Sequence, residues 1–114
     1  MKIIITENKL EQVAINWLNK NYGDLEQFDS PRQYPDYLFY RKGDKIIFDY
    51  NKKNGVVSIS YDEIWSFLES YFGMEYEQIR DLTKVWVEKQ YELGVTTTTD
   101  IDVALLYRWR NITN

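Results

Sequence analysis

Residues 45–73, KIIFDYNKKNGVVSISYDEIWSFLESYFG, constrain the fold of this chain more than any other stretch, because two β-patterned runs, a tight turn and a capped helical pattern follow one another without a spacer. Ile46, Phe48 and Tyr50 alternate with Lys45, Ile47 and Asp49, and Val57, Ile59 and Tyr61 alternate with Val56, Ser58 and Ser60. Each run therefore has one strongly apolar face, and together they predict a hairpin. The intervening Asn51-Lys52-Lys53-Asn54-Gly55 suits a turn that closes on a left-handed residue, a conformation that glycine adopts without steric penalty. Ser60 followed by Glu63 has the spacing of a capping box, which predicts a helix start. Ile64, Trp65, Phe67, Leu68, Tyr71 and Phe72 make that helix apolar over most of its circumference, and Gly73 supplies a left-handed stop.

The flanking sequence completes an α+β pattern. Residues 1–6, MKIIIT, read as a short edge strand, with Thr6 or Asn8 available to cap the helix that follows. Leu10, Val13, Ala14, Trp17 and Leu18 recur at helical spacing opposite Glu11, Gln12, Asn16, Asn19 and Lys20, and this amphipathic helix should stop near Tyr22-Gly23 with Trp17 in the core. Residues 24–36, DLEQFDSPRQYPD, contain both prolines and little periodicity, which predicts a loop held to the core by Leu25, Phe28 and Tyr34. Residues 37–41, YLFYR, form a strand pattern ahead of the turn signal Lys42-Gly43-Asp44, so a three-stranded antiparallel meander is expected over 37–60. A second long helix is expected over 75–93, with Ile79, Leu82, Trp86 and Leu93 on its inner side and Gly94 as its stop.

The segment 95–110 admits two readings. Four successive threonines favour extended backbone, and Ile101, Val103, Leu105, Tyr107 and Trp109 alternate with Asp102, Ala104, Leu106, Arg108 and Arg110, as in a strand joining the sheet. The alternative is a helix capped by Thr99, with Asp102 three residues on and helix formers at Ala104, Leu105 and Leu106. The expected fold is thus one α+β domain over residues 1–114: a small antiparallel sheet, extended by a C-terminal strand, packed against an N-terminal helix and two central helices.

Composition narrows the function. The chain has neither Cys nor His, so it lacks the usual zinc ligands, a thiol nucleophile and an imidazole base. Carboxylates alone favour Mg or Ca and need several oxygens converging on one point. Asp100 and Asp102 have strand spacing for such a pair, and Asp62 with Glu63 could form an acid–base pair, but capping and dipole roles explain them more simply. The five glycines are scattered at element ends and form no phosphate cradle. The expectation is a protein that is not an enzyme and carries no cofactor or metal, with a carboxylate and Mg-dependent enzyme as the remotest alternative. No apolar run reaches the length of a membrane span, and the sequence is read as soluble, intracellular and cytoplasmic.

Charge then points to a partner. The formal net charge is −4, but residues 1–59 carry nine Lys/Arg against eight Asp/Glu, residues 60–92 three against eight, and residues 93–114 two against two. The acid is concentrated in the two central helices, which disfavours simple phosphate neutralisation and suits a basic protein surface. Glu69, Glu77, Asp81 and Glu88 are the expected acidic partner-binding residues. Arg108-Trp109-Arg110 is the second candidate: two guanidinium groups flanking an indole can stack bases, grip phosphates or anchor an acidic partner, although alternation also explains Trp109 as a sheet residue. The length, acidity and aromatic content are those of a small stoichiometric binding protein of inhibitor, immunity or accessory-subunit type, encoded by a phage or mobile element. A nucleic-acid-associated protein using Arg108, Trp109 and Arg110 is the alternative.

Overall fold

The computed structural model describes residues 7–29 and 36–101. Helix α1 (Glu7–Tyr22) leads into strands β1 (Glu26–Asp29), β2 (Tyr37–Lys42), β3 (Lys45–Asn51) and β4 (Val56–Ser60). A π-helical turn at Tyr61–Trp65 continues into the short α2 (Ser66–Ser70), and then come α3 (Tyr76–Tyr91) and β5 (Thr97–Ile101). The sheet runs β1-β2-β3-β4-β5, with β5 parallel to β4 and all other neighbours antiparallel. The result is the expected mixed α+β fold with a sheet against an N-terminal helix and further helices. The expected N-terminal strand and everything after Ile101, including Arg108, Trp109 and Arg110, lie outside the described residues.

The expected loop over 24–36 is corrected, because it contains β1. Its sequence, Glu-Gln-Phe-Asp, has one apolar residue and no readable alternation, and its pairing comes from across the strand. Phe28 stacks on Phe39 at 5.4 Å, Glu26 pairs with Arg41 at 3.0 Å, and Gln27 accepts a hydrogen bond from Tyr40 at 3.3 Å. Such cross-strand pairs, each contributing about 0.2 to 1 kcal/mol, hold a strand that intrinsic propensity does not announce.

Strict alternation in β3 is also corrected. The register passes from Tyr40↔Phe48 to Arg41↔Ile46, which leaves Ile47 as the extra residue of a bulge. Ile47 therefore joins Phe48 in the main core, while Ile46 belongs to a separate cluster with Phe39 and Ile101. The β3–β4 turn is as expected, with Gly55 at φ 75° and its amide bonded to the Asn51 carbonyl at 2.8 Å. Thr96 grips this turn from the start of β5, donating its amide to the Gly55 carbonyl at 2.8 Å and its hydroxyl to the Asn54 carbonyl at 2.7 Å.

Only half of the expected capping box forms at Ser60. Its hydroxyl accepts from the Glu63 amide at 3.3 Å, but the Glu63 carboxylate turns to Lys45 at 3.1 Å and to the Tyr22 hydroxyl at 3.2 Å. A cation and a phenol are better partners for a carboxylate than one backbone amide. The reciprocal box occurs instead at α3, between Glu75 and Gln78. Gly73 (φ 64°) ends the preceding helix as expected, with the Met74 amide bonded to the Leu68 carbonyl at 3.1 Å. Gly94 does not end α3: Glu92 takes the left-handed position at φ 56°, at a backbone cost of about 1 to 2 kcal/mol. Tyr91 fixes that endpoint, since its hydroxyl donates to the Tyr22 carbonyl and accepts from the Leu25 amide at 3.1 Å.

The helices pack on one face of the sheet. Ala14 and Leu18 of α1, Trp65, Leu68, and Ile79, Trp86 and Val87 of α3 form one core with Phe48, Val57 and Ile59. Val13 is not on the buried side of α1, being 54% exposed. Trp17 is half-buried and stacked on Phe67. The segment Thr97–Ile101 is the strand, not the helix capped at Thr99, and the threonine run is explained by Thr98. Its buried hydroxyl meets that of Thr83 at 2.7 Å and donates to the Arg80 carbonyl at 2.9 Å, tying β5 to α3.

Candidate protein-binding face

Three of the four expected acidic residues share one surface. The inner side of α3 carries Ile79, Leu82, Thr83, Trp86 and Val87. Glu77, Asp81, Lys84 and Glu88, at spacings of four, three and four, occupy the opposite side, with Glu77 and Asp81 exposed and the other two half-buried. Lys84 interrupts the stripe, which otherwise presents carboxylates to solvent. Asp81 also borders a groove of about 540 Å³ between α1 and α3. Ile15, Leu82 and Val85 give this groove an apolar lining, and Glu11, Gln12, Asp81 and Lys89 give it a polar one. Val85 is 44% exposed.

Glu69 belongs to a different group. Its carboxylate faces the Tyr61 phenol, and with Asp100 and Asp62 it pushes that phenol above its ordinary pKa. This second acidic patch lies where the π-helical turn meets β5, away from the α3 stripe in the chain. Glu63, considered above as half of an acid–base pair, is committed to Lys45 and Tyr22. Burial and the Glu63 carboxylate push the Tyr22 phenol up to about 12, and burial likewise pushes Tyr91 up to about 12. Both phenols thus stay protonated and serve as hydrogen-bond donors. Among the described residues, no group of three or more acidic side chains is placed to hold a metal ion.

Two features escaped the sequence reading. Trp17 and Phe67 stack with centroids 4.2 Å apart and planes 5° from parallel, Phe67 stacks in turn on Tyr71 at 4.9 Å, and Phe72 meets Trp17 edge-on. Tyr71, at the outer end of this series, is 73% exposed. The spacing of Phe67 and Tyr71 was visible, but their pairing with Trp17 is tertiary. The second feature is Asp49, which is 1% exposed with neither carboxylate oxygen hydrogen-bonded. Desolvation pushes its pKa up to about 8, against a smaller opposing effect of the nearby Ser58 backbone.

Comparison with family models, with curated proteins and with solved structures found no match. Among the described residues, no helix is long and apolar enough to cross a membrane.

Proposed function

We propose that this protein is a non-catalytic binder that associates stoichiometrically with another protein through a basic surface on that partner, in the manner of an inhibitor, immunity protein or accessory subunit. The observation that carries this reading is the outward stripe of Glu77, Asp81 and Glu88 on α3, with Asp81 bordering a partly apolar groove. A charged stripe steers encounter, and an adjoining apolar floor gives the encounter complex surface to bury. The chain offers no Cys or His to suggest a chemical step in place of binding.

Reversing Glu77, Asp81 and Glu88 to Lys tests it. Parent and variant are immobilised and exposed in parallel to extract of the native host. A basic protein retained by the parent at one-to-one stoichiometry, and lost or slowed in association by the variant with a flattened salt dependence, is the expected result. Submicromolar binding of oligonucleotides that weakens steeply with salt and is strengthened by the same reversals would overturn the reading in favour of nucleic acid.

A further inference from the structure

The groove between α1 and α3 has a direction. On α3 its wall is formed by Asp81, Val85 and Lys89, which follow one another at one-turn spacing and read acidic, apolar, basic along the chain; on α1, Glu11 and Ile15 repeat the first two steps. The two helices run the same way, because their C-terminal ends meet. Trp86 donates to the Asn19 side chain at 2.9 Å, Gln90 to the Gly23 carbonyl at 2.8 Å, and Tyr91 to the Tyr22 carbonyl. Both carboxylates therefore stand toward one end of the groove and Lys89 toward the other, with Ile15, Leu82 and Val85 as the floor between them. Among the described residues no ion pair joins Lys89 to either carboxylate, and Val85, 44% exposed, leaves apolar surface open. We propose, resting on the binding reading above, that the partner segment seated in this groove is a short amphipathic α-helix, antiparallel to α1 and α3, with carboxylates in its first turn and Lys or Arg in its last.

Charge complementarity argues for this occupant. From Asp81 to Lys89 a helix advances about 12 Å, roughly two turns, so an occupant helix of that length sets apolar side chains one turn apart on the floor and a charged turn at either end. Acid at a helix start and base at its end is the arrangement that the helix's own dipole favours, by about 0.3 to 1 kcal/mol per charge. Laid antiparallel, such a helix brings its last-turn cations to Glu11 and Asp81 and its first-turn carboxylates to Lys89. Laid parallel, it would set like charges against each other at both ends. A groove of about 540 Å³ also has the size of a small-molecule pocket, but its charges stand apart at opposite ends, whereas the polar groups that orient a small ligand converge.

The chain has no cysteine, so one introduced thiol reports the occupant's direction. The probe is a designed helical peptide of about 14 residues with Glu in its first turn, Leu along one face and Lys in its last turn. Its binding, followed by fluorescence anisotropy, should weaken at least about ten-fold when its Glu and Lys are replaced by Gln, and be lost in Val85→Arg. Gln12→Cys puts a thiol on α1 beside Glu11. It should form a disulfide at least about ten-fold faster with a peptide carrying Cys at its C-terminus than with one carrying Cys at its N-terminus. Exchanging the groove charges, by Glu11→Lys, Asp81→Lys and Lys89→Glu together, should invert that preference. No saturable binding up to about 1 mM, or a preference that ignores the exchange, overturns the proposal. Self-association of the parent that Val85→Arg abolishes would give the groove to a second copy and also overturns it. A basic host protein retained by Val85→Arg but lost on reversing Glu77, Asp81 and Glu88 would overturn the groove helix alone and leave the binding reading standing.

Discussion

Asp49→Asn should abolish the pH dependence that a buried carboxyl imposes on this protein. In the unfolded chain the group ionises near 3.8, and in the folded protein near 8. Between those values the folded protein keeps a proton that the unfolded chain releases. Its favourable contribution is therefore complete below the lower value and is lost as pH rises toward the upper one, at about 1.4 kcal/mol per pH unit. From about pH 5 to pH 8 the loss is ~3 to 4 kcal/mol, a large part of the ~5 to 15 kcal/mol that holds a typical domain together. Asn keeps the shape and cannot ionise, and its unpaired amide costs about as much as the unpaired neutral carboxyl, roughly 1 to 3 kcal/mol. The two proteins should thus have similar stability near the acid end and diverge steadily above it, with the variant the more stable. Urea unfolding of both at four pH values across this range measures the difference, in which the titration of every other group cancels. A difference that stays constant with pH would show that Asp49 is hydrated or paired, and the reasoning would fail.

Core and turn substitutions test the packing. Phe48→Ala, Ile59→Ala and Trp65→Ala remove side chains that are 0, 0 and 1% exposed, and each should lower the free energy of unfolding by about 2 to 5 kcal/mol; parent-like urea midpoints in all three would misplace the core. Gly55→Ala and Gly43→Ala impose similar backbone strain, at φ 75° and 63°, but only the Cβ at Gly55 meets a neighbour, the Thr96 hydroxyl at 2.6 Å. The Gly55 variant should be the more destabilised in thermal melts, by at least about 1 kcal/mol, and equal losses would show that Thr96 does not clamp the turn.

The parts of the fold that were legible are those whose cause lies within a few residues. Gly55 and Gly73 mark left-handed positions because no other residue type adopts them so readily, and the inner stripe of α3 repeats at the helical period. The parts that were not legible depend on distant partners. The strand at Glu26–Asp29 exists through Phe39, Tyr40 and Arg41 more than ten residues away, and Glu63 leaves its cap for Lys45 and Tyr22. Glu92 holds a conformation suited to glycine because Tyr91 is pinned to the end of α1.

The same division runs through the candidate surface. Glu77, Asp81 and Glu88 could be grouped from the sequence because one helix carries them, whereas Glu69 could not be separated from them until α2 was seen to turn it toward Tyr61. Asp49 shows the limit most sharply. On paper it is the polar member of an alternating strand, and alternation sends such a residue to solvent. That inference holds for a sheet with one covered face. Here Phe39 opposes Asp49 in the β2–β3 ladder and is fully buried, so this sheet excludes water on both sides. A strand buried on both faces has no outward side for a carboxylate, and the only relief left to it is to hold its proton. The buried acid thus reports on how far water is kept from the second face at Asp49, and its titration measures that directly.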